Sequence, residues 1–439
     1  MGHWIGEFLR APLFARLLNL GLVIAAVVHG YIISFGRSFH FRDIDIHREI
    51  GRRFLSGEYL YANDYCYMYL PTTGIYFAPL LVLDRNPSLA LRYAVAVGCL
   101  VLTIRFMHRM LLGADALTGG RLLLLGVGAG ALTLQFILND LDDGGPHLML
   151  LGILTGGIYA IWTGKERLGA ALVGLGIVLK ITPALFVILF LWKRQWRVAT
   201  YTVLATVAWI VLPVLYIGPT SWWEHHVEWT QNAVLSVLDR QAEGRKENEL
   251  QKANLSLRHT MLRYLVTYPK THRLRQVDPG YKPVMDLSSP VANGIVGVTG
   301  LGLLGLFAWS SRRTYEGPGD PMWARDFAGT LMLALFFSPI TWDQHLVWMI
   351  PAAFIVVAAA AQASAGLSRA GYAVLAAYIV LTMVLNYEVV GRANWEALKS
   401  YHHLGIAMLM LFGLLFASAG TQRGCPSLLA GSSGMAGKG

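Results

Sequence analysis

Charged residues are scarce in this chain. Of its 439 residues only 14% are Asp, Glu, Lys or Arg, whereas 55% are hydrophobic. Soluble domains usually carry about 25% charged residues, so this composition excludes an ordinary soluble enzyme or binding module. Cysteine is scarcer still, because Cys66, Cys99 and Cys425 lie far apart and form no CxxC pair. Neither a disulfide framework nor a thiolate metal site is therefore expected.

Acidic residues are in the minority, and the excess of basic residues gives a net charge of +10. A nucleic-acid-binding protein would gather that charge on one exposed face. Here it is dispersed, so no nucleic-acid partner is expected. The basic residues lie in short connections between apolar stretches: Arg10, Arg16, Lys165, Arg167, Lys193, Arg194, Arg197, Arg312, Arg313 and Arg423. The positive-inside rule predicts that these connections are cytoplasmic.

What the chain does have is a series of long apolar stretches. They cover residues 17–35, 88–104, 120–138, 146–163, 197–217, 291–310, 326–338, 345–362, 371–389 and 401–418. Each approaches or reaches the length that a helix needs to cross the hydrocarbon core, and backbone groups there must be satisfied internally. We therefore predict an all-α, polytopic integral membrane protein with about 10–13 transmembrane helices. The number of crossings between residues 69 and 138 stays open at this point.

Three polar regions are predicted to share the non-cytoplasmic side. They are the outer loop 36–69, which we expect to contain short interfacial helices, the long hydrophilic loop 218–289, and the interruption at residues 338–345. Residues 1–420 are predicted to form a single transmembrane domain. The Gly- and Ser-rich residues 421–439 are expected to be a disordered cytoplasmic tail.

The first outer loop carries a cluster of ionisable residues that begins with Asp43. Residues 43–54 fit a helix in the membrane interface, because Ile46, Ile50 and Phe54 form a narrow apolar stripe. Asp43 then has two interpretations, which are compatible. It can cap the free N–H groups at the helix start, or it can act as a general base that deprotonates an attacking hydroxyl.

Lys180 interrupts an apolar segment roughly at its middle, and Pro183 follows it. Proline removes a helix donor and disfavours helix just before it, so we predict two short helices, 168–180 and 183–192, with Lys180 at the tip between them. An ionisable residue at membrane depth is a functional candidate by default. Its expected partner is an anion, either a carboxylate of a neighbouring helix or a lipid phosphate.

Two further polar turns contain candidate residues. Trp342, Asp343 and His345 lie together in the interruption at 338–345, where a tryptophan offers a face on which a sugar ring can stack. The acidic turn that ends at His147 lacks the spacing of a calcium loop, so no metal site is predicted there. In the long outer loop, Arg258 is a candidate for binding phosphate or an anionic acceptor.

In their chain order, these residues resemble glycosyltransferase family 87, of the GT-C class of integral-membrane transferases. The residues that carry the resemblance are Asp43, Leu55, Gly57, Leu60, Tyr61, Tyr67, Tyr69, Pro71, Lys180, Pro183, Lys193, Arg194, Trp196, Arg197, Asn254, Ser256, Leu257, Ser338, Pro339, Trp342 and His345. The chain departs from the family pattern at Ile44, at His47-Arg48, at Thr72 and at Gly144–His147.

The resemblance implies a GT-C-like bundle that uses a polyprenyl-phosphate sugar as donor. The hexose, mannose first and arabinose second, would pass to a glycan or glycolipid acceptor at the non-cytoplasmic face of a bacterial plasma membrane. Asp43 would be the general base, and Lys180, His345 and Arg258 would bind the donor phosphate. Substrate contacts are expected from Asp45, His47, Tyr69, His147, Asn254, Trp342 and Asp343. No cofactor or metal is expected, because a lipid-phosphate donor needs no nucleotide-binding loop.

Two other classes of protein share some of these features. A secondary transporter or lipid-sugar flippase also uses broken helices and intramembrane charges, but it predicts paired interruptions in two inverted halves. A polymerase or ligase of lipid-linked glycans shares the large outer loop but needs no base beside the first span.

Overall fold

Helices make up almost all of the regular structure in this computed structural model. The structure describes residues 12–36, 42–61, 69–113, 119–235, 252–272, 275, 278, 280–361 and 366–417, and no strand occurs among them. The all-α prediction is therefore confirmed for this part of the chain. The predicted tail 421–439 lies outside the described residues.

The helices follow one another along the chain, some with short connections and some with long ones. In chain order they are Pro12–Tyr31, Asp43–Ser56, Thr73–Phe77, Arg85–Leu112, Gly119–Leu132, Leu134–Asp143, His147–Trp162, Glu166–Leu179, Leu185–Trp192, Trp196–Val211, Val214–Trp229, Leu257–Leu265, Ser289–Ser310, Met322–Phe337, Ile350–Ala360, Arg369–Ile379, Tyr387–Ser400 and His403–Ala417. Short 3-10 turns at Ala78–Leu81, Thr182–Ala184 and Asp343–Met349 join some of them.

Several helices are long and apolar enough to cross a membrane. Four qualify alone: Leu13–Gly36, Arg85–Leu112, Ser289–Ser310 and Asp343–Ala360. Three more candidates are pairs of helices bent by 74° to 90° at short breaks, and three shorter apolar helices accompany them. The chain is thus a multi-pass membrane protein, whereas the count of 10–13 crossings stays a prediction.

The most buried helix is Met322–Phe337, in which every residue from Trp323 to Phe336 is buried. Around it, neighbouring helices approach closely where small residues face each other. At Gly169 an added Cβ would lie 2.4 Å from the carbonyl oxygen of Gly157. Helices His147–Trp162 and Glu166–Leu179 therefore pack backbone against backbone, and this contact fixes their relative position.

Basic connections gather at one end of the bundle, which we call the basic end. The Trp162 indole N–H donates to the carbonyl oxygen of Asp320 (3.2 Å), and Arg313 forms a salt bridge with the Asp320 carboxylate (2.9 Å). The Lys193 ammonium donates to the carbonyl oxygen of Arg313 (2.7 Å). Connections that are distant in sequence thus meet at a single place.

Three helices start or finish at the basic end and extend away from it. Helices His147–Trp162 and Met322–Phe337 have 16 residues each, and Glu166–Leu179 has 14. At a rise of 1.5 Å per residue they span about 21–24 Å. Their far ends carry His147, Ser338 and Lys180, so the predicted site residues lie at the opposite end of the bundle.

The predicted helix in the first outer loop is confirmed as Asp43–Ser56, with one correction. Its cap is Asp45, whose Oδ2 accepts the backbone N–H of Arg42 (3.0 Å). Asp43 is the first helical residue, so its carboxylate does not serve as the cap. Gly57 ends the helix in the left-handed conformation (φ 69°), which glycine adopts without strain.

The predicted interruption at Lys180 is confirmed. Helix Glu166–Leu179 ends there, Lys180 is extended, and Leu185 begins the next helix. Segment 218–289, which was predicted as a long loop, contains helical structure that was not expected. Helix Val214–Trp229 follows Trp196–Val211 at an angle of 87°, so the apolar stretch 197–217 turns sharply near its end.

Candidate active site

Asp43 points from the start of its helix towards residues that are distant in sequence. Its carboxylate accepts a hydrogen bond from the Gln344 side chain and interacts electrostatically with Arg92 and Lys180. Burial raises the pKa of Asp43 above its ordinary value, while Arg92, Gln344 and Lys180 act in the opposite direction. A carboxylate with a raised pKa is a better proton acceptor than an ordinary one, which suits a general base.

Lys180 meets His345 across 165 positions of sequence. The Lys180 Nζ lies 3.3 Å from both ring nitrogens of His345. It also lies 5.6 Å from the centre of the Trp348 ring, close enough for a cation–π interaction. The extended backbone at Lys180 releases the side chain from the helix, and the 3-10 turn Asp343–Met349 brings His345 to it.

A second imidazole completes this cluster. The His147 and His345 rings meet edge to face with their centres 4.2 Å apart. The His345 Nδ1 accepts the backbone N–H of Trp342 (3.2 Å), and the Trp342 and His345 rings are parallel with centres 6.2 Å apart. Trp342, His147, His345 and Lys180 are therefore neighbours.

His147 is held in place by Asp140, which the sequence reading did not single out. Asp140 is 1% exposed, and its carboxylate accepts the backbone N–H groups of His147 (3.2 Å) and Leu148 (2.9 Å). It therefore caps the start of helix His147–Trp162. Among the described residues, no group of three His, Cys, Asp or Glu side chains is arranged to hold a metal ion.

A small cavity opens beside these residues. It is lined by Tyr69, Tyr76, Phe77, Pro146, His147, Leu150, Leu179 and Lys180. His47 stacks on Phe77 behind this wall, with ring centres 4.1 Å apart, and burial lowers its pKa well below the ordinary value. His47 is thus neutral and packs as an aromatic ring. One wall of the cavity is aromatic, and the other carries an ammonium and an imidazole.

Arg92 is the main site residue that the sequence reading missed. It is 3% exposed, and its Nε and Nη2 atoms have no hydrogen-bond partner within the described residues. Its guanidinium interacts electrostatically with Asp43, Asp140, Tyr69 and Tyr76. The signal was present, because an arginine inside an apolar span is as unusual as a lysine there.

Other predicted site residues have structural partners. Asp45 forms a two-point salt bridge with Arg85 (2.6 and 2.9 Å) in addition to its capping bond. Asn254 holds the 338–342 segment through hydrogen bonds to Pro339 and Thr341 (3.0 and 3.1 Å). These contacts account for both residues without a ligand, so substrate binding by Asp45 and Asn254 stays a prediction.

The surroundings of Arg258 and Asp343 differ from those of the cluster formed by Asp43, Lys180, His345 and His147. Arg258 is exposed, and its Nε donates to the Asn293 side chain (3.3 Å). The buried Oδ1 of Asp343 has no hydrogen-bond partner in the described part of the chain, nor has the indole N–H of Trp342. The structure thus brings Asp43, Lys180, His345 and His147 together, whereas the Arg258 side chain is exposed and bonded to Asn293.

Comparisons with known proteins identify the family of this chain. The sequence model of glycosyltransferase family 87 matches residues 67–339, more than half of the chain. A polyprenol-phosphate-mannose-dependent alpha-(1-2)-phosphatidylinositol mannoside mannosyltransferase from Mycobacterium tuberculosis is 26% identical over 386 residues, covering 81% of this chain and 80% of that protein. Its counterpart from Mycolicibacterium smegmatis is 24% identical and covers 93% and 91%.

Among solved structures, ArnT from Cupriavidus metallidurans bound to undecaprenyl phosphate is similar at 14% identity and a TM-score of 0.33. That similarity covers 93% of this chain and 78% of ArnT. The family match argues against a transporter as the main function of this protein, because the matched family consists of transferases. The chain belongs to glycosyltransferase family 87 and is a membrane glycosyltransferase.

Proposed function

We propose that this protein transfers a hexose from a polyprenyl-phosphate sugar to a glycan or glycolipid acceptor, with Asp43 as the general base. The observation that carries the proposal is that Lys180, which lines the cavity, lies against His345 and interacts electrostatically with Asp43. A carboxylate, an ammonium and an imidazole supply the groups that this reaction needs. The two mycobacterial relatives, named for polyprenol-phosphate mannose, favour mannose as the sugar and leave arabinose second.

The proposed reaction has one proton transfer and one exchange of bonds. The acceptor hydroxyl oxygen attacks C1 of the sugar, and its proton passes to the Asp43 carboxylate. The bond between C1 and the phosphate oxygen breaks, and the electron pair stays on that oxygen. The lipid phosphate thereby gains one negative charge while Asp43 loses one. Lys180 and His345 would stabilise the growing charge on the phosphate, which is usually the largest catalytic contribution.

The acceptor is proposed from chemistry and from the relatives together. The names of these relatives give phosphatidylinositol mannosides as acceptors. An acceptor of this class is a glycolipid, which reaches the site from within the same membrane as the donor lipid. The aromatic wall formed by Tyr69, Tyr76 and Phe77 offers faces on which sugar rings can stack.

The two ends of the bundle support a proposal for the side of the membrane on which the site lies. The basic end holds Lys193 and Arg313, and the positive-inside rule favours a cytoplasmic position for it. Lys180 and His147 lie about one helix length away. We therefore place the site at the non-cytoplasmic face, in a bacterial plasma membrane.

The test uses purified protein, labelled polyprenyl-phosphate mannose and a phosphatidylinositol mannoside acceptor. Wild-type protein should transfer the label, and Asp43→Asn should reduce transfer by roughly 10²–10⁴-fold, the usual contribution of a general base. Asp45→Asn is the matched control, since it removes a carboxylate two residues away that already binds Arg85. Undiminished transfer by Asp43→Asn would remove Asp43 as the base. Lack of transfer by the wild type from mannose and arabinose donors alike would overturn the proposed function.

A further inference from the structure

Helix Arg85–Leu112 presents two arginines to the helix that begins at Asp43. Arg85 and Arg92 are seven residues apart, so they lie on nearly the same face two turns from each other. Arg85 binds Asp45 through two hydrogen bonds, at 2.6 and 2.9 Å. This salt bridge fixes how the two helices face each other, and Arg92 then interacts electrostatically with Asp43.

The two arginines differ in what their guanidinium groups bind. Both nitrogens of Arg85 that face Asp45 are engaged. In Arg92 the buried Nε and Nη2 have no hydrogen-bond partner within the described residues. Burying a donor without a partner is unfavourable, so a guanidinium kept in this state has a reason other than packing. Its surroundings are the cavity residues Tyr69 and Tyr76 and the carboxylates Asp43 and Asp140.

We propose that Arg92 is a positioning residue for the base: its guanidinium keeps the Asp43 carboxylate negatively charged and aimed at the acceptor hydroxyl. This inference rests on the proposed function of Asp43. It adds a residue that neither the motifs nor the relatives' names indicate. Arg92 acts through Asp43 and does not itself touch the reacting atoms.

The charges around Asp43 explain why an additional cation is needed. The charged and titratable groups that interact with it are Arg92, Lys180, Asp140, Asp143 and Tyr69. Asp140 and Asp143 disfavour a third negative charge nearby. Lys180 already lies against His345, where the donor phosphate is proposed to bind. Arg92 is therefore the cation left to stabilise Asp43 while Lys180 is occupied by phosphate.

The first experiment measures transfer against pH. Arg92→Met removes the charge, so the acid limb of the kcat/KM profile should move to higher pH by roughly 1–3 units, and activity should recover partly in alkaline buffer. Arg92→Lys keeps the charge and should restore most of the shift. Arg109→Met is the matched control, because Arg109 lies on the same helix and donates to the Tyr159 hydroxyl (3.1 Å). Its acid limb should coincide with that of the wild type.

An Arg92→Met profile that is lower at every pH but unshifted would overturn the proposal. A raised KM for the donor with an unshifted acid limb would also overturn it, since that result assigns Arg92 to the phosphate instead. If Arg92→Met does not fold, Arg92→Gln and Arg92→Lys give the same comparison, with the uncharged variant shifted and the charged one not.

A second readout does not depend on activity. The Asp43 carboxyl can be followed by infrared difference spectroscopy, as the titrating band that disappears in Asp43→Asn. In Arg92→Met this band should titrate at higher pH than in wild-type protein, and an unchanged titration would contradict the proposal. If the wild type transfers no sugar, the proposed function fails while this measurement still decides the role of Arg92.

Discussion

Two lysines flank the short apolar segment Thr182–Trp192, and their surroundings differ. Lys193 lies 2.6 Å from the Asp326 carboxylate, donates to the carbonyl oxygen of Arg313 (2.7 Å) and stands 4.5 Å from the centre of the Tyr315 ring. Lys180, within the described part of the chain, forms no salt bridge; its Nζ lies 3.3 Å from both ring nitrogens of His345 and 5.6 Å from the centre of the Trp348 ring.

The difference separates a structural ion pair from a prepared site. A buried ammonium is stable when a carboxylate and further hydrogen bonds accompany it, and Lys193 meets that condition. Lys180 has neutral partners, which leave its charge available for an incoming anion. The same residue type thus holds the basic end together and is proposed to bind phosphate at the other end.

Of the variants that test this comparison, Lys180→Met is expected to reduce sugar transfer the most. Removing a preorganised cation from a developing negative charge costs about 10²–10³-fold in kcat, while folding should be little affected because no salt bridge is broken. Transfer assays and thermal unfolding in the same detergent measure both quantities. A variant that transfers at the wild-type rate would contradict the assignment of Lys180 to the donor phosphate.

Lys193→Met is expected to show the opposite pattern. It removes the nearer of the two cations beside the buried Asp326 carboxylate and leaves Arg325 at 3.6 Å. Breaking a buried pair costs about 3–5 kcal/mol of stability. The melting temperature should fall, but the transfer rate per folded molecule should stay near that of wild type. The double variant Lys193→Met/Asp326→Leu should recover part of the stability, since the buried carboxylate is removed together with Lys193 and Arg325 keeps its hydrogen bond to the Ser310 carbonyl oxygen.

The smallest effect is expected from Asp45→Asn. The variant weakens the capping bond to Arg42 and the salt bridge to Arg85, and loss of a cap costs typically about 1 kcal/mol. Stability should decrease by this order, and transfer should decrease only as far as Asp43 is displaced. A loss of transfer equal to that of Asp43→Asn would show that Asp45 takes part in the chemistry.

The elements that could be predicted from the sequence were those with a local signal. Lys180 stood out because a charge and a proline interrupt an apolar segment, and the helix at 43–56 followed from its apolar stripe. Asp45, and not Asp43, accepts the capping hydrogen bond, because the helix starts one residue earlier than a cap at Asp43 requires. A shift of one residue at a helix end is within the usual uncertainty of such boundaries.

Features that depend on three-dimensional packing could not be predicted. Hydropathy gives the length of a span but not its direction, so the 87° bend between Trp196–Val211 and Val214–Trp229 was missed. Asp140 looked like part of an exposed acidic turn, whereas the fold buries it as a cap for the next helix. Arg92 had a signal in the sequence, as a charge within an apolar span, but its interactions with Asp43 and Asp140 depend on the fold.

The length of helix Glu166–Leu179 sets the depth of the Lys180 ammonium. It starts beside the basic end and stops at the lysine, so its residue count sets how far the ammonium stands from that end. One inserted residue would lift Lys180 by about 1.5 Å and rotate its direction by about 100°. The number of residues in this helix is therefore as much a part of the site as the identity of the lysine.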